Sequence, residues 1–151
     1  MKTRLLLAVA GLAIGFALPT FAQEQKAVDP EVRQQIEAVV MKFLEAYNNY
    51  DVGTISALHT RDAVEVRAAG GATRAGVFSG RQVLEKMFAA YFASNPAKLV
   101  SELVQVYAID ENNICTIANR SAGTWKAYTV TAYIRALDGT WKTHMTYVNP
   151  L

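Results

Sequence analysis

Thr129-Val130-Thr131-Ala132-Tyr133-Ile134-Arg135-Ala136-Leu137-Asp138-Gly139-Thr140-Trp141 reads as a strand, a tight turn and the start of a second strand, and this stretch decides the fold class. β-Branched and aromatic residues fill the first run, and Asp-Gly is the dipeptide a two-residue hairpin prefers. Both alternating sets are apolar in large part, Val130, Ala132 and Ile134 on one side and Thr129, Thr131 and Tyr133 on the other. A strand apolar on both sides requires cover on both sides. Working outward, residues 98–109, a turn at Glu111-Asn112-Asn113, then residues 114–124, 125–137 and 140–148 follow the same strand-and-turn grammar, so four strands in meander are expected.

The residues before this run keep helical spacing instead. Asp29-Pro30-Glu31 puts an N-cap, a first-position proline and a first-turn acid in succession. Val32, Ile36, Val39, Val40, Phe43, Leu44 and Tyr47 then recur at steps of three and four, which predicts a long amphipathic helix ending near Asn48-Asn49. Asp51 is placed to cap a short helix over Val52–Leu58. Residues 62–68 read as a strand with Val64 and Val66 toward the core, and residues 69–76, with Gly70, Gly71 and Gly76, as a loop. Ser79-Gly80-Arg81-Gln82 has the spacing of a capping box, with Phe78 and Val83 as its hydrophobic staple. It precedes a third helix carrying Val83, Leu84, Met87, Phe88, Tyr91 and Phe92 and stopped at Asn95-Pro96. The order helix, helix, strand, helix, four strands predicts an α+β fold with three helices packed on a curved, mostly antiparallel sheet.

Charge is distributed unevenly over the 151 residues, of which 15 are Lys or Arg and 13 Asp or Glu. Lys2 and Arg4 precede fourteen uncharged residues, 5–18, and the small-residue site Thr20-Phe21-Ala22, the pattern of a secretory signal cleaved after Ala22. The remaining 129 residues hold 13 basic and 13 acidic side chains, a polar and disordered segment over 23–28 and one domain over 29–151. A neutral domain lacks the positive field that nucleic-acid binders depend on. Fourteen apolar residues also fall short of the roughly 20 a bilayer span needs. Cys115 is alone, far from Ala22 and inside an apolar run, so it reads as a small buried hydrophobe with neither a disulfide partner nor a lipid to carry. A periplasmic or secreted domain without a membrane anchor is expected.

Three segments carry a resemblance: Phe43-Leu44-Glu45-Ala46-Tyr47-Asn48-Asn49-Tyr50-Asp51 leading to Leu58, then Asp62-Ala63-Val64-Glu65-Val66, and the closing Asp138-Gly139-Thr140-Trp141-Lys142. Together they resemble the NTF2-like superfamily, in particular its SnoaL-like and DUF4440-type branch. The resemblance implies a cone-shaped α+β barrel with an apolar pocket between helices and concave sheet, often paired with a second copy through the outer face of the sheet. Members include ketosteroid isomerases, polyketide cyclases, dehydratases and epoxide hydrolases. Laid on the isomerase pattern, the oxyanion-hole tyrosine falls at Phe43, the general-base aspartate at Arg67 and the protonated partner acid near Tyr133. Phe43 has no proton to donate and an arginine accepts none. The isomerase mechanism in its known form is therefore not carried by this chain.

Candidate contacts follow from alternation. Arg67 lies opposite Val64 and Val66, where the resemblance places the cavity mouth, and its planar fork suits a carboxylate, phosphate or enolate. Glu65, on the same face, is the competing partner. Tyr47 shares a helix face with Phe43, and Tyr133 shares a strand face with Thr131. On the last strand Trp141, Thr143, Met145 and Tyr147 read as inward and Lys142, His144 and Thr146 as outward. The ligand-binding candidates are thus Arg67, Tyr47, Tyr133, Thr131, Phe43 and Met145, with no catalytic residue assigned. His59 and His144 have no second ligand at metal-binding spacing, and the glycines of 70–76 lack the ending of a phosphate loop, so neither metal nor cofactor is expected. The expected partners are a small apolar or weakly acidic molecule and a second copy of the chain. Catalysis on the same scaffold and a filled, purely structural interior are the alternatives.

Overall fold

The computed structural model describes residues 27–70 and 75–151. The expected export signal lies outside the described residues, as do most of the segment over 23–28 and residues 71–74 of the expected loop. Helix α1, Pro30–Asn48, starts where the sequence places it: Asp29 Oδ1 accepts from the backbone N–H groups of Glu31 at 2.8 Å and Val32 at 3.4 Å. Its apolar stripe buries Ile36, Val40, Leu44 and Tyr47. Asp51 caps α2, Val52–Leu58, by accepting from Thr54 N–H at 2.9 Å. Then come β1 (His59–Arg67), β2 (Gly76–Ser79), α3 (Arg81–Phe92), β3 (Val100–Ala108), β4 (Asn113–Ala122), β5 (Trp125–Arg135) and β6 (Trp141–Pro150).

Six strands form one sheet in the order β2-β1-β6-β5-β4-β3. Every pair is antiparallel except β1 with β6, which run parallel. The three helices pack on one face of this curved sheet. Ile36, Val40, Leu44, Tyr47, Ile55, Phe88, Phe92, Leu99, Ile114, Tyr133 and Trp141 fuse into the apolar core between the layers.

The structure corrects four local readings. Gly76, expected to end the loop, instead opens a strand over residues 76–79, which pairs antiparallel with β1 from Val64↔Ser79 to Arg67↔Gly76. Ser79 is consequently committed to the sheet, and the cap of α3 is Gly80, with φ 91° and no side-chain hydrogen bond, so the capping box does not form. That positive φ favours glycine, which lets the chain turn from β2 straight into α3. On β1 the buried residues are His59, Ala63 and Glu65, with Val64 and Val66 half-buried on the opposite, outer face. On β6 a β-bulge intervenes, since Ala132 pairs with Met145 but Tyr133 with Thr143. One extra residue reverses the side-chain phase beyond it. Trp141 and Thr143 point inward as expected, but Thr146 and Val148 then take the inward positions, leaving Met145 44% and Tyr147 38% exposed.

Candidate functional site

Register sets the inner face of the sheet. One rung reads Glu65, Thr146, Thr131, Thr116 across β1, β6, β5 and β4, and the next reads Arg67, Val148, Thr129, Ala118. A third places Arg120 beside Ala127. The first rung is a polar floor of hydroxyls under the helices, and all four of its residues are buried. Between this floor and α1 and α3 lies a cavity of about 40 Å³ lined by Phe43, Tyr47, Glu65, Arg67, Phe88, Tyr91, Leu99, Arg120, Trp125 and Val148. A second space of about 10 Å³ lies among His59, Thr131, Tyr133, Thr143 and Thr146, and Phe43, Glu65 and Arg120 line both. The two are neighbouring lobes of one interior. Their combined size is far below the roughly 300–1,000 Å³ of an ordinary small-molecule pocket.

Charge is concentrated at the junction. Arg67 Nε donates to Glu65 Oε1 at 2.5 Å, with both side chains almost entirely withdrawn from solvent. The Arg67 guanidinium also stands 5.7 Å from the ring centroid of Phe78, so the short strand β2 covers it from outside. Arg120 enters from β4 with its guanidinium 5.0 Å over Phe43. Although part of Arg120 reaches the surface, its Nε is enclosed and has no hydrogen-bond partner among the described residues, and the same holds for Trp125 Nε1. Burial pushes the Arg120 guanidinium below its ordinary value, against the opposing pull of Tyr133, Glu65 and Tyr47.

The tyrosines stay protonated. Burial raises Tyr47 far above the phenolic range, helped by its hydrogen bond with Tyr91, and burial likewise raises Tyr133. Donors therefore crowd an interior whose one carboxylate is already engaged. His59 is the neutral base nearby. Its Nδ1 lies 2.7 Å from the Ile55 carbonyl, which only accepts, so Nδ1 carries the proton. Burial lowers its pKa, with Ile55 and Glu65 acting in the opposite sense and Arg81 and Arg120 reinforcing the shift. A histidine whose folded pKa is depressed stays neutral while the unfolded chain takes up a proton, so stability falls as pH drops below about 6.5. The expected loss in unfolding free energy between pH 7.5 and 5 has a slope of at most about 1.4 kcal/mol per pH unit. His59→Asn, whose amide N–H replaces Nδ1–H, flattens that slope in denaturant titrations at each pH.

Of the expected contacts, Phe43, Tyr47 and Arg67 line the larger lobe and Thr131 and Tyr133 the smaller. Met145 is on the outer face and drops out. His144 faces away from the interior, with Nδ1 3.1 Å from Thr60 Oγ1 and 3.7 Å from Asp62. Sequence reasoning missed Arg120, although Ile114, Thr116, Ala118 and Arg120 share one phase of β4 and the first three are buried. Among the described residues no three His, Cys, Asp or Glu side chains gather in a way that could hold a metal ion.

A family model described as a SnoaL-like domain matches residues 40–144. Among solved structures, a ketosteroid isomerase-like protein from Erwinia carotovora superposes with a TM-score of 0.67 at 15% identity, over 82% of this chain and 98% of that one. An NTF2-like protein of unknown function from Silicibacter pomeroyi gives 0.67 at 12% identity, over 83% and 100%. Another from Pseudomonas putida gives 0.64 at 15%, over 82% and 89%. At such identities the likeness concerns the fold alone. No curated protein matches the chain in sequence.

Proposed function

The chain belongs to the SnoaL-like domain family, and from that premise we propose that it holds a small, largely apolar or weakly acidic molecule between α1, α3 and the concave sheet. The observation that supports this most is the Glu65–Arg67–Arg120 cluster facing an interior cavity. Charges taken out of water cost several kcal/mol each, and an apolar filling of the same volume is often neutral or stabilising. A core kept only for stability has no need of two arginines. Phe43, Tyr47, Phe88, Leu99 and Trp125 form the walls, and the polar end of the ligand lies at the arginines Arg67 and Arg120. No catalytic step is assigned, because Phe43, Arg67 and Tyr133 do not reproduce the isomerase set.

The small enclosed volume favours a second reading, a packed structural interior, with Phe43 and Phe88 in contact at a centroid distance of 6.2 Å. A thermal-shift series against steroids, polyketides, fatty acids and small aromatic acids separates the two. A ligand at 100 times its dissociation constant stabilises by about 2.7 kcal/mol. The expected result is a concentration-dependent rise in Tm that Arg67→Ala largely removes. A rise unaffected by that substitution would take Arg67 out of the site, and no rise with any compound would leave the packed interior.

Residues 1–22 have the sequence pattern of an export signal, which supports a periplasmic or secreted domain. A second copy is the further partner. On the outer face Val66, Tyr147, Val130 and Ile117 form one rung and Val64, Met145, Ala132 and Cys115 the next. Two such apolar rungs across four strands suit self-association, since exposed patches of this kind mark contact surfaces. Sedimentation equilibrium is expected to give a dimer that Val130→Glu converts to monomer.

A further inference from the structure

Both lobes together are lined by two permanent cations, Arg67 and Arg120, and by Glu65 as their single carboxylate. Glu65 is taken by Arg67, so one positive charge is left over. The face of Phe43 beneath Arg120 compensates only in part, a cation–π contact being worth roughly 0.5–2 kcal/mol. Two enclosed donors, Arg120 Nε and Trp125 Nε1, also have no acceptor among the described residues. They are near one another by register. Arg120 lies opposite Ala127 on β5, and Trp125 is two residues along on the same face. Ala127 contributes only a methyl group, and Arg120 and Trp125 both line the larger lobe.

We propose that this interior is a receptor for a monocarboxylate, whose head group is received by Arg120 and the Trp125 indole N–H and whose short apolar remainder lies against Phe43, Tyr47, Phe88 and Leu99. The inference rests on the reading that the cavity takes a ligand, and adds the ligand's charge and head group. One negative charge matches the surplus, whereas a dianion overshoots it. A planar acceptor with two oxygens suits two separate donors. The cavity of about 40 Å³ is lined by both donors and by these apolar side chains, so it has room for a small acid only.

The chain carries its own reporter. It has two tryptophans, and Trp141 Nε1 already donates to Gln35 Oε1 at 2.9 Å, so its indole resonance serves as an internal reference. In a nitrogen-15 titration with acetate and benzoate, and with acetamide and benzamide as neutral counterparts, the Trp125 indole proton is expected to move downfield saturably with the acids only. Trp141 stays in place. Arg120→Met is expected to abolish the shift while raising the Tm of the ligand-free protein, because it removes an unmatched buried charge. Should that variant fail to fold, Trp125→Phe, read by calorimetry, is expected to weaken benzoate roughly tenfold or more. Amides binding as well as acids would overturn the charge inference and leave the pocket reading standing. Acid binding unchanged in Arg120→Met or in Trp125→Phe would also overturn it. Absence of binding by acids and amides alike would overturn the monocarboxylate receptor, and the pocket reading is then decided by the thermal-shift series.

Discussion

Glu65→Gln is expected to lower the unfolding free energy by about 3–5 kcal/mol, the range for removing one partner of a buried ion pair. The substitution keeps size and shape, so the loss is electrostatic. Glu65 is 5% exposed, and Arg67 and Arg120 would face each other across the interior with no negative charge between them. Natural domains hold a margin of about 5–15 kcal/mol, so a large part of it goes with this one oxygen-for-nitrogen exchange. Urea unfolding followed by circular dichroism measures it. The double variant Glu65→Gln/Arg67→Met is expected to recover much of the loss, since it removes the cation that Glu65 neutralises. A loss below about 1 kcal/mol for the single variant would mean that solvent reaches the pair, which is the behaviour of surface ion pairs.

Phe88→Ala is the second large effect, expected at about 3–5 kcal/mol. Phe88 is 2% exposed and sits among the rings of Phe43, Phe92 and His59, at centroid distances of 6.2, 5.9 and 6.3 Å. Its removal joins a ring-sized void to the larger lobe. An apolar void of that size stays dry and accepts benzene. Equilibrium unfolding with and without benzene is the measurement, and benzene is expected to return part of the stability in Phe88→Ala while leaving the parent unchanged.

Local rules carried most of the architecture. The caps at Asp29 and Asp51 stand where the spacing puts them, and a hairpin does turn at Asp138-Gly139, although its connection spans residues 136–140 rather than two. The two large errors came from features that spacing does not encode. A four-residue edge strand, Gly76–Ser79, is too short to show a period, and it exists because β1 offers it a partner. The bulge near His144 leaves no mark in the pattern of Thr143-His144-Met145-Thr146, yet it moved Met145 out of the site and Thr146 into it. Arg67 was placed at the cavity by the resemblance and not by the period of β1, which reads Val64 and Val66 inward where the structure has Ala63 and Glu65. Arg120 was passed over for a chemical reason, since an arginine in an inward phase contradicts the expectation that interiors are apolar. Such contradictions between pattern and residue type tend to mark functional positions.

The parallel pairing of β1 with β6 has a consequence in time as well as in space. The helices and β1 are synthesised first, but β1 finds its sheet neighbour among residues 143–148, at the far end of the chain. The meander from β3 to β6 assembles from hairpins, and such local contacts form quickly. The β1–β6 ladder is a late, long-range closure. Glu65 meets Thr146 only through that ladder, so the polar floor and the charge cluster above it depend on a pairing between the two ends of the domain. Until then the emerging chain holds an acid and two arginines in water, where their charges cost little, and it withdraws them only once the whole barrel can enclose them.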